Sequence, residues 1–161
     1  MFTQIISHTP TWVFALFIGL LALGYRQSKD RMISKNTLII LPIVMVALAI
    51  NGELRTFNLQ LTALFTWFFG ATICYLLVQN YVSIKANYIQ EQHLFALKGS
   101  WVPLILMMGI FLTKYIVSTL LATKAEIITS TGFMLIVSLL YGAFSGIFIA
   151  RAHKVLALRT V

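Results

Sequence analysis

Trp101-Val-Pro-Leu-Ile-Leu-Met-Met-Gly-Ile-Phe-Leu-Thr-Lys114-Tyr-Ile-Val-Ser-Thr-Leu-Leu121 is apolar over a length that crosses a bilayer, with one lysine inside it. At 1.5 Å per residue Lys114 stands about 18 Å beyond Val102, close to mid-membrane. A lysine there costs about 2.5–3.5 kcal/mol to insert, so it asks for a reason. Two readings are open. In one, Lys114 with Tyr115 beside it forms a substrate or anion site. In the other, the side chain snorkels outward towards Glu53 or Glu126, both read as outer-rim residues.

The rest of the chain agrees with a lipid solvent. Apolar residues make up 60% and charged residues 10%, where soluble domains carry about 25% charged. The net charge of +8 sits in loops between apolar runs, which reads as membrane topology and gives no patch for nucleic acid. A single cysteine, Cys74, excludes an internal disulfide, a CxxC pair and a CxxCH haem attachment.

Working outward, the reading is an all-α polytopic membrane protein with five transmembrane helices. They fall at about 10–25, 37–50, 59–80, 102–123 and 127–150 within one domain, 1–161. Residues 1–8 lack Lys and Arg, so the first run is expected to be a retained span. Ser7 or Thr9 is its cap, Pro10 sits in its first turn, and Trp12 and Tyr25 are its interfacial anchors. Pro42 should kink the second span or mark its first turn. Asn51-Gly-Glu-Leu-Arg55 reads as a polar outer turn. Val82-Ser-Ile-Lys-Ala86 alternates in polarity, and His93-Leu-Phe-Ala-Leu97 does so more weakly. That pattern favours a small cytoplasmic β-hairpin over about 82–98, ahead of an interfacial helix. Arg26, Lys29, Arg31, Lys35, Lys85, Lys98, Arg151, Lys154 and Arg159 then lie inside, with only Arg55 and Lys124 outside. The amino end is expected outside and the carboxyl end inside.

Other chemistry is sparse. Ser138, Gly142, Gly146 and Ala150 recur every fourth residue, a spacing that lets helices approach closely within one molecule or between two. Cys74, Met45 and Met107 or Met108 share a depth and could hold Cu(I), but such residues are ordinary apolar filler. His8 lies outside, while His93 and His153 both lie inside and could pair. Gly19 to Gly24 has Walker-like spacing, but Tyr25-Arg26 replaces the required Lys-Ser/Thr. No catalytic constellation is present, so the expectations are no enzyme, no cofactor and no metal.

Three features together resemble a family of small, uncharacterised bacterial inner-membrane proteins. They are the basic loop running into Leu38-Ile-Ile-Leu-Pro42, the polar insert ending in Gly99-Ser-Trp-Val-Pro103, and Phe111-Leu-Thr-Lys-Tyr115 followed by Tyr141-Gly-Ala-Phe-Ser-Gly-Ile-Phe148. More remotely the chain is similar to CcdC-like membrane proteins, named for cytochrome c biogenesis. The resemblance implies a multi-pass protein of the bacterial inner membrane. The expected function is a non-enzymatic accessory role through a larger partner in envelope or cytochrome maturation. The alternative is a small oligomeric transporter or channel for an anionic solute, using Lys114. Expected partners are the lipid bilayer and a membrane protein or further copies of the chain, with no nucleic acid.

Overall fold

Backbone N–H and C=O groups have no water to bond in hydrocarbon, so apolar stretches of this length fold as helices. The computed structural model describes residues 11–57, 60–123 and 125–158. The elements run α1 (Thr11–Gln27), β1 (Arg31–Ser34), α2 (Lys35–Phe57), α3 (Leu61–Tyr81), β2 (Ala86–Ile89), β3 (Leu94–Leu97), α4 (Val102–Ala122) and α5 (Thr131–Ala157). Helices α2 to α5 are each long and apolar enough to cross a membrane, and α1 is a shorter apolar helix. The expectations placed on His8, Pro10, Lys124 and Arg159 lie outside the described residues.

Two boundaries differ from the sequence reading. Asn51 to Arg55 is helix and not a turn, because α2 continues to Phe57 with Pro42 inside it. Met45, Ala49, Gly52, Glu53 and Phe57 follow helical spacing on one buried face, and that burial outweighs the polar composition. At the carboxyl end, Arg151, His153 and Lys154 belong to α5 and not to a tail. A short 3₁₀ turn, Glu126–Thr129, precedes α5, and the Ser130 hydroxyl caps it by accepting the Phe133 N–H at 3.2 Å.

Between α3 and α4 the chain does form a hairpin. β2 and β3 pair antiparallel from Ala86↔Leu97 to Ile89↔Leu94. The turn is a 3₁₀ segment, Gln90–Gln92, closed by His93 in the left-handed region at φ 52°. The first strand lies at 86–89, later than the alternating 82–86 suggested. A third strand, β1, adds to β3 from Arg31↔Leu97 to Ser34↔Leu94, giving the order β1-β3-β2. Phe95 at the sheet centre is fully buried, with the Tyr88 ring 4.9 Å away. Asp30 Oδ1 accepts the Gly99 N–H at 2.6 Å, and Gln27 O accepts the Ser100 N–H at 3.2 Å. These bonds clamp the end of α1 to the corner that starts α4.

Helix α5 is the centre of the bundle. A Cβ on Gly142 would stand 2.0 Å from Trp67 O, and one on Gly146 2.1 Å from Ala71 O, so α3 and α5 touch backbone to backbone. The two helices run parallel, and both end at the sheet. There Tyr75 Oη lies 2.6 Å from His153 Nδ1, and Lys154 Nζ donates to Val82 O at 2.5 Å. Ser138, Gly142, Gly146 and Ala150 are all buried on this inner surface. Helix α1 lies against α4, with Gly24 closed on Leu104. One core cluster, around Met45, Met107 and Phe148, is separate from a second around Ala49, Val117 and Tyr141, towards the end opposite the sheet.

Candidate functional site

Glu53 is the most unusual residue of the bundle. It lies about 27 Å along α2 from the sheet end, is 2% exposed, and neither carboxyl oxygen has a hydrogen-bond partner. An ionised carboxylate left unpaired in such a place costs several kcal/mol. Facing it from α5 are Ser138 and Tyr141, both fully buried. Ser138 Oγ stands near enough to interact with the carboxyl but outside bonding geometry, so it too has no bonded partner. The Tyr141 ring passes over Gly52, where a Cβ would sit 3.1 Å from the hydroxyl oxygen, and it lies within electrostatic reach of Glu53. Trp67 of α3 packs on the same core, and its Nε1 is also buried without a bonded partner.

The local sequence explains the cluster. Gly52 removes a side chain so that Tyr141 can cross α2 and bring its phenol beside the next residue. Small Ser138 leaves room opposite Glu53 where a leucine would fill it. The result is a carboxyl and a hydroxyl, each without a bonded partner, beside a phenol and closed from water by apolar walls. Such a group can take up a proton or a small cation, since either relieves the cost of the buried charge.

Of the residues singled out by sequence, Ser138 lies in this cluster, and the others fall elsewhere. Lys114 is half-buried on α4, and the charge acting on it is Arg55, which repels it. Tyr115 stacks beside Phe111 at 6.4 Å. Met45 and Met107 share one buried core, while Cys74 is half-buried on α3. Among the described residues no three or more His, Cys, Asp or Glu side chains converge as a metal site. His93 Nδ1 lies 3.2 Å from Tyr88 Oη, and His153 bonds Tyr75, so each of these two histidines meets a tyrosine. Glu53 itself escaped the sequence reading as a site. The signal for it was present, because Met45, Ala49 and Glu53 are spaced four apart on one helical face.

No curated protein and no solved structure matches the chain. Residues 1–160 match the family model described as a family of unknown function, DUF6622. That match spans nearly the whole sequence, and the chain belongs to the DUF6622 family.

Proposed function

We propose that this chain is a small ion-coupled carrier of the bacterial inner membrane, in which Glu53 binds and releases a proton or monovalent cation. The proposal includes five spans, the amino end outside and the sheet in the cytoplasm. The charge distribution supports that orientation: Arg26, Lys29, Arg31, Lys35, Lys85, Lys98, Arg151 and Lys154 gather at the sheet end, and Arg55 lies towards the other. The observation that carries the functional reading is the buried Glu53 carboxyl with both oxygens unbonded. Proteoliposomes holding a pH-sensitive dye and given a sodium or potassium gradient should show proton movement. Glu53→Gln should abolish it, and unchanged movement in that variant would reject the reading.

A second reading is favoured by the sheet. Its outward face carries Met32, 58% exposed, and both outer strands have an edge that β3 does not cover. An accessory protein acting through a larger partner in envelope or cytochrome maturation would dock there. Replacing residues 86–97 by a flexible linker should then abolish partner capture, and capture at the wild-type level would reject docking at the sheet.

A further inference from the structure

The sheet end holds a second cluster that the carrier reading does not use. Arg31 shares its sheet face with Phe95 and Tyr88, the face turned to the protein interior. Its Nη2 donates to Gln27 Oε1 at 3.0 Å, while its Nη1 is shut from water with no acceptor. Arg151 of α5 lies within repelling range of Arg31, and Arg26 does so from the last turn of α1. Burial, and then the Arg26 charge, hold the Arg31 guanidinium below its ordinary range. Asp30, the acid adjacent in sequence, accepts the Gly99 N–H.

We propose that Arg31 and Arg151, with Arg26 beside them, form a seat for a phosphate-bearing anion. Three like charges brought together with partial loss of water repel one another, and one anion among them removes that cost. Guanidinium forks match paired phosphate oxygens, and two forks from different elements hold one phosphate in a fixed orientation. The seat stands where the apolar helices end, the level of lipid headgroups. Arg31 also lines an open cleft of about 670 Å³, together with Lys85, Lys98 and the Asp30 carboxylate. The same chemistry is therefore available from a phospholipid headgroup or from a soluble phosphate.

Native mass spectrometry of the full-length protein in mild detergent separates these cases. The probes are phosphatidylglycerol, phosphatidylcholine and inorganic phosphate. One phosphatidylglycerol should bind per chain, and Arg31→Gln or Arg151→Gln should each weaken binding at least about tenfold. Lys85→Gln and Lys98→Gln should stay within about twofold of the wild type, as solvated surface charges do. Arg31→Lys keeps the charge without the fork and should also lose affinity, with a melting temperature near that of the wild type showing that it is folded. If inorganic phosphate displaces the lipid or binds in its place, the physiological anion is soluble; if it does neither, it is the headgroup. Absence of binding by both phosphatidylglycerol and phosphate overturns the proposal. So does an equal loss in the lysine variants, or retention of phosphatidylglycerol by the arginine variants at the wild-type level.

Discussion

Glu53 and His153 show how differently two polar side chains of the bundle are treated. Glu53 has no bonded partner, so Glu53→Gln removes the charge and keeps the shape. We expect that variant to unfold at an equal or higher temperature in detergent while losing ion binding, the pattern of a site kept at a cost in stability. A clear loss of stability would mean that the carboxyl holds the fold together. His153 is the reverse case. Its Nδ1 lies 2.6 Å from Tyr75 Oη and 3.1 Å from Gln79 Nε2, and its ring stacks on Tyr75. His153→Phe keeps the stacking and loses the bonds, and should lower stability by about 1–2 kcal/mol in a denaturation series. At this scale the sequence is a partial guide. Lys114 is conspicuous because it is the one charged residue between Trp101 and Leu121, whereas Glu53 is masked by Asn51, Gly52 and Arg55, which imitate a turn.

Among the elements, the contact between α3 and α5 decides the packing. The Gly146 Cβ position is occupied by backbone, which cannot move aside as a side chain can. Gly146→Leu should therefore cost more than the about 1–3 kcal/mol of ordinary overpacking, and prevent recovery of folded protein. Gly132→Ala, where a Cβ meets nothing within 4 Å, is the matched control and should fold normally. The fourfold spacing of small residues on α5 is visible in the sequence, but the partner surface around Trp67 and Ala71 is not, since α3 is apolar on all sides. The sheet divides in the same way. His93–Leu97 alternates weakly enough to suggest a strand, while Arg31-Met-Ile-Ser34 lies in the basic loop with no alternation, and it pairs with β3 beside the bond from Gly99 N–H to Asp30.

For the whole molecule, parallel α3 and α5 with antiparallel α2 place the sheet and the 3₁₀ turn Glu126–Thr129 at opposite ends. In a Cys74→Ala background, Gln92→Cys should react with an impermeant thiol reagent only from the cytoplasmic side, and Thr129→Cys only from the other. Labelling of both from one side would contradict the orientation. The composition made the lipid solvent legible, and helix lengths followed from bilayer thickness. What no single-sequence pattern could supply is which polar residues converge, because Glu53 and Ser138 meet across 85 residues of chain through α2–α5 packing.

The most direct measurement is infrared difference spectroscopy of the reconstituted protein during titration with protons, sodium and potassium, wild type against Glu53→Gln. The account predicts one buried carboxyl band that changes with proton or cation uptake and is missing from the variant. A wild-type spectrum with no such band, or a band that persists unchanged in Glu53→Gln, would contradict it.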